Sequence, residues 1–72
     1  MINNNDRYNV MLRHDIGNHG VMMGTDKKTG ECVTFECHKG HPTKVFNIRW
    51  FKSIRRAIGD FTGRCVAQAY VW

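Results

Sequence analysis

Seventy-two residues leave room for one small domain and exclude a multidomain architecture. An apolar fraction of 42% with 24% charged residues is a globular composition and argues against a disordered chain. Eleven Lys and Arg against six Asp and Glu give +5 at pH 7 and a pI near 9.5. That balance attracts phosphate polymers or an acidic protein face without defining an activity.

A domain of this size buries only about 60% of its unfolded surface, so extra stabilisation from aromatic packing, a bound partner, self-association or the cysteines would help. The cysteines are Cys32, Cys37 and Cys65, an odd number that cannot pair fully within one chain and that fits a reducing compartment. The start, MINNND, has no basic segment followed by an apolar stretch, and no apolar run approaches the roughly 20 residues a membrane helix needs. A cytoplasmic protein without membrane contact is expected.

In chain order, residues 1–6 are polar and aperiodic and read as a flexible N-terminal tail, with 7–72 as a single small α/β domain. Tyr8, Val10 and Leu12 alternate with Arg7, Asn9 and Met11, the two-residue period of a strand. RHDIGNHG, residues 13–20, reads as a loop because it holds two glycines, an Asp and an Asn around one large apolar residue. VMMGT, DKKTG and ECVTFECH then predict a hairpin whose turn ends on Gly30 and whose inner face is Val21, Met23, Val33 and Phe35.

KGHPTK interrupts the strand pattern, and a helix over residues 44–61 is predicted to follow, started by Pro42 or capped by Thr43. Counted from Val45 at 100° per residue, Phe46, Trp50, Phe51, Ile54, Ala57, Ile58 and Phe61 fall on one arc of about 140°, its core face. Arg49, Lys52 and Arg56 gather on the opposite side, with Lys44 and Arg55 at the flank, and Gly59 and Gly63 around Asp60 signal the end. The closing TGRCVAQAYVW reads as a strand with small residues on one face and Tyr70 and Trp72 on the other. The expectation is an α+β fold: a small antiparallel sheet of three or four strands in the order β-β-β-α-β, with one amphipathic basic helix packed on one face.

Charge is polarised along the chain. Residues 39–72 hold seven Lys or Arg against Asp60 alone, a net +6, whereas residues 1–38 sum to −1. Guanidinium forks and lysine point charges in a row can track a phosphate backbone. Lys44, Arg49, Lys52, Arg55 and Arg56 are therefore the candidate nucleic-acid contacts of a small non-enzymatic binding protein. No helix-turn-helix pair is visible to present a helix to base edges, so sequence-specific readout is not expected. The alternative is a small regulatory or inhibitor protein that docks on an acidic surface of a larger protein, with Tyr70 and Trp72 as anchors rimmed by the same cations. Pairing of two copies through a sheet edge is a third possibility.

Metal and catalytic chemistry are weakly signalled. Cys37, His38, His41 and Cys65 are the one candidate zinc set, but Cys-x4-Cys-His-x2-His departs from the usual ligand spacing, and Cys32 and Cys37 fall on opposite faces of a regular strand. No metal or other cofactor is expected. His14, Asp15 and His19 share a glycine-containing loop, yet neighbouring residues rarely converge on one target and so short a chain has little room for a closed pocket. An enzyme is not expected.

Overall fold

A computed structural model of the chain describes residues 7–38 and 40–71, with the side chains of residues 42, 43 and 71 left aside. The expected tail, Lys39 and Trp72 lie outside the described residues. The elements are β1 (Tyr8–Ile16), β2 (His19–Asp26), β3 (Cys32–His38), β4 (His41–Phe51) and α1 (Ile54–Val71). The four strands form an antiparallel meander in the order β1-β2-β3-β4, and α1 packs on one face. The α+β class with one helix on a small antiparallel sheet is thus observed, in the element order β-β-β-β-α.

Three sequence expectations are corrected. Residues 13–20 are not a loop: β1 runs to Ile16 and β2 begins at His19, joined by Gly17 and Asn18. Gly17 takes φ 59°, the first position of a II′ hairpin turn, where glycine meets no steric penalty. Nor do residues 44–61 form one helix, because His41–Phe51 is a strand and the helix starts at Ile54. Val45, Phe46, Ile48, Trp50 and Phe51 are β-branched or aromatic, and β4 is an edge strand, which tolerates Pro42 with its missing N–H. Finally, residues 62–71 of the expected closing strand continue α1 and form no strand. Gly59 and Gly63 do not end the helix; both face open space, with nothing within 4 Å of an added Cβ.

The β2–β3 hairpin is present, with its five-residue connection at residues 27–31, one residue later than the expected 26–30. Asp26 organises it: its Oδ1 accepts the backbone N–H of Lys28 at 2.8 Å and of Thr29 at 3.3 Å, and its carbonyl accepts Gly30 N–H at 2.8 Å. Gly30 takes φ 75°. Register then corrects the inner face. Met22 stands opposite Phe35, so Val21 and Met23 lie on one face and Val33 and Phe35 on the other, all four of them buried.

The face away from α1 holds Tyr8, Val10, Met22, Val33, Phe35 and Cys37, with Val45 and Ile48 packed against them. It is concave. In a flat sheet Tyr8 and Phe35, two strands and four residues apart, would have Cα atoms about 16 Å apart, yet their ring centroids lie 4.9 Å apart. A bulge lies between Val10 and Leu12, next to the point where β1 crosses so close to Gly24 that a Cβ there would lie 1.8 Å from the Asn9 carbonyl oxygen. Bulges bend the strand that carries them. This one also explains why Tyr8 and Val10 are buried while Leu12, expected to share their face, is exposed.

Candidate functional site

The helix-covered face of the sheet is polar at its centre. Thr34 donates to Asp60 Oδ2 at 2.5 Å, which also accepts Arg64 Nε at 2.8 Å, while Asp60 Oδ1 accepts Arg49 Nη1 at 2.8 Å. Arg64 reaches on with Nη1 to Glu36 Oε2 at 3.0 Å. Glu36 also accepts Asn47 Nδ2 at 3.1 Å and Gln68 Nε2 at 3.4 Å, and His19 Nε2 lies 2.5 Å from its Oε1. Asn47 reaches in from a β4 bulge with φ 53°, a conformation asparagine tolerates better than most residues. Burial alone would push the Asp60 carboxyl up, but the Thr34 hydroxyl and the Arg64 and Arg49 guanidiniums outweigh it and hold the group below its ordinary 3.8.

These contacts set the direction of the helix. Asp60 meets Thr34 and, one turn on, Arg64 meets Glu36. α1 therefore starts over the end of β3 marked by Cys32 opposite Phe51 and runs toward the end marked by His38 opposite His41. At the starting end the β2–β3 connection, the start of β1 and the β4–α1 junction converge. Arg7, Lys27, Lys28, Lys52, Arg55 and Arg56 are all exposed there. The Arg7 carbonyl accepts Lys27 N–H at 2.8 Å, joining the lysine turn to β1. Asp26 at this end is fully buried and Glu31 half-buried. The N–H of Lys28, then that of Thr29, the Arg7 guanidinium and the Trp50 indole hold Asp26 below 3.8 against the opposing effect of burial.

Of the five cations proposed from sequence, Lys52, Arg55 and Arg56 meet at this basic end. Arg49 does not share a helical face with them; it sits on β4 opposite Thr34 and is held by Asp60, although 67% of its side chain is exposed. Lys44 lies five residues back along β4, about 16 Å away. Tyr70, 89% exposed, stands on the last turn of α1 at the opposite end from Arg55 and Arg56, so the aromatic anchor and the cations do not form one patch. Sequence reasoning missed Arg7, Lys27 and Lys28, for which the only signal was the lysine pair in DKKTG, and it missed the Glu36–Arg64–Asp60 network.

The zinc candidates do not converge. Cys37 is buried on the concave face, His38 and His41 are exposed at the far end, and Cys65 lies on α1 over the other face. Among the described residues no group of three or more His, Cys, Asp or Glu is placed to hold a metal ion. Burial pushes the Cys37 and Cys65 thiols up, away from nucleophilic thiolates. His14 and Asp15, adjacent on β1, point to opposite faces, and His19 is turned to Glu36. No described helix is long and apolar enough to cross a membrane. Compared with protein-family models, curated proteins and solved structures, the chain matches none.

Proposed function

We propose that the protein is a small non-enzymatic binding module that grips nucleic-acid phosphates with the basic end of its sheet, using Lys52, Arg55 and Arg56 together with Lys27, Lys28 and Arg7. The observation that carries this reading is the charge order of α1. Its first turn has no acid and its last turn no base, while Arg55 and Arg56 stand at the N-terminal end. A helix dipole favours the reverse, by about 0.3–1 kcal/mol per charge. A stability rule broken by two adjacent charges points to a site where an external anion supplies the missing negative charge. Contacts of this type position a phosphate backbone without reading its sequence.

The test is fluorescence anisotropy of labelled single- and double-stranded oligonucleotides over a range of salt. Three to five phosphate contacts give a log–log slope of about −3 to −5, and an Arg55→Ala, Arg56→Ala double variant lowers its magnitude by about two. Absence of binding at low salt, or a slope indifferent to those substitutions, overturns the reading.

A second reading, docking on an acidic surface of a larger protein, is favoured by Ile54 and Ile58, which are 48% and 43% exposed on the same helix turns as Arg55 and Arg56. Apolar anchors rimmed by arginine fit an interface hot spot. There, the uncharged Ile58→Ser weakens the complex more than salt does, whereas nucleic-acid binding tolerates that change.

A further inference from the structure

We propose that the protein pairs with a second copy of itself through the outer edge of β1, antiparallel about His14, giving a continuous eight-stranded sheet. Among the described residues β1 and β4 are the sheet's two edges, and they differ. β4 carries Pro42, Lys44, the positive-φ Asn47 and breaks in register, the devices that blunt an edge against pairing. β1 from Leu12 to Ile16 keeps an unbroken register with β2, has no Pro, Lys or positive-φ residue, and its two charges, Arg13 and Asp15, are of opposite sign.

The hydrogen-bonding phase of β1 follows from its turn. Ile16 and His19 flank a two-residue turn and form a hydrogen-bonded pair, so the alternation leaves the N–H and C=O of Asp15 and Arg13 directed away from β2. Those two residues set the register. Pairing centred on Arg13 or on Asp15 sets like charges against each other, which is destabilising. Pairing centred on His14 crosses Arg13 with Asp15 of the second copy twice, with four backbone hydrogen bonds in the right phase.

The same register places Leu12 against Ile16 of the second copy on the α1 side of the sheet. Leu12 is 40% exposed and Ile16 half-buried. Arg13 Nε already lies 3.1 Å from Asp15 Oδ1 within one chain, so the two-fold axis would assemble four alternating charges. The apolar flank of α1 is turned the same way. Asp60 faces β4 through Arg49, and Ile58 lies about 160° round the helix from it, on the β1 side.

The experiment is sedimentation equilibrium of the full chain without nucleic acid, with Arg13→Asp, Asp15→Arg and the double exchange. The wild type shifts with concentration from 8.4 kDa toward twice that mass. Each single reversal turns both charge pairs repulsive and weakens dimerisation about tenfold or more. An equimolar mixture of the two singles recovers the dimer, because every pair across the axis is again of opposite sign. Mixing cannot restore the pair within one chain, so recovery reports the contact between copies. The double exchange dimerises like the wild type. On the wild type itself, hydrogen exchange at the Arg13 and Asp15 amides slows as concentration rises. A wild type that stays at monomer mass near 1 mM, about 4 kcal/mol of association, overturns the proposal, as do singles that dimerise normally or a mixture that does not recover.

Discussion

Gly24→Ala is the sharpest test of how the sheet closes over its own core. The added methyl would sit 1.8 Å from Asn9 O, 2.8 Å from Asn9 C and 3.0 Å from Val10 Cα, whereas ordinary carbon–oxygen contacts begin near 3.3 Å. The obstacle is backbone and no rotamer change relieves it; β1 must move outward by about 1.5 Å at the bulge. That lifts Tyr8 and Val10, now almost fully buried, from Phe35. Burying each is worth about 1.5–3 kcal/mol, so losing most of both costs roughly 3–5 kcal/mol, against a total of about 4–11 kcal/mol for a domain of this length. Urea unfolding followed by circular dichroism should show that loss, and the melting temperature should fall by about 15 °C or more. Gly59→Ala is the matched control: its methyl meets nothing, and alanine is favoured over glycine in a helix by about 0.8–1.0 kcal/mol. A Gly24→Ala protein within about 1 kcal/mol of wild type would refute the close crossing of β1 and the curl built on it.

Arg64→Met leaves Glu36 and Asp60 buried without their shared cation and should cost about 3–5 kcal/mol by denaturant titration; a loss below about 1 kcal/mol would mean that water enters the network. Acid should unfold the protein in a defined window. Asp26 and Asp60 are held below 3.8 in the folded chain, so the unfolded chain takes up protons first; their contribution is complete above pH 3.8 and is lost as pH falls through the lower folded values. Asp60→Asn should flatten that acid limb in a pH series of melting temperatures, and an unchanged limb would disprove its part. Cys37, buried on the concave face with its thiol pushed up, should resist iodoacetamide at pH 8 until urea unfolds the chain, read by mass spectrometry; labelling at the unfolded rate would show that the concave face opens.

How much of this was legible follows from what each signal measures. The β2–β3 hairpin was readable because DKKTG codes its own turn: Asp26 satisfies the backbone donors and Gly30 supplies the positive φ, both local matters. The β4–α1 boundary was not, because Phe46, Trp50 and Phe51 fit a helical arc with Ile54, Ala57, Ile58 and Phe61, while Phe46, Ile48 and Trp50 fit a strand alternation, and only pairing with β3 decides between them. Gly59 and Gly63 misled for a related reason: glycine weakens a helix without forbidding it, and tertiary contacts from Asp60, Arg64 and Gln68 outweigh its propensity. Register was invisible too. One residue of shift at the turn sends Val21 and Met23 to the face opposite Phe35, and bulges at Val10/Leu12 and Thr34/Glu36 are set by packing. The cations at 52, 55 and 56 could be named from charge alone, but their union with Lys27, Lys28 and Arg7 is a product of topology.

The polar seam under α1 bears on the binding proposal. A helix held mainly by apolar contacts could slide or rotate by a fraction of a turn at small cost, since hydrophobic attraction is non-directional. Among its described apolar side chains α1 buries fully only Ala57, and its other anchors are directional: Asp60 to Thr34, Arg64 to Glu36, Gln68 to Glu36. Buried ion pairs are poor sources of net stability, and their best-attested use is to specify register. Here the register they specify sets the helix start at the end of the sheet that carries the β2–β3 turn, so that Arg55 and Arg56 lie at the same end as Lys27 and Lys28. If the seam exists for that purpose, replacing Arg64, Asp60 and Glu36 together by apolar residues of similar volume should leave a folded protein whose oligonucleotide affinity and salt slope decline, because the cations lose their common orientation. A triple variant that binds with the wild-type slope would separate the network from the site and reduce it to packing.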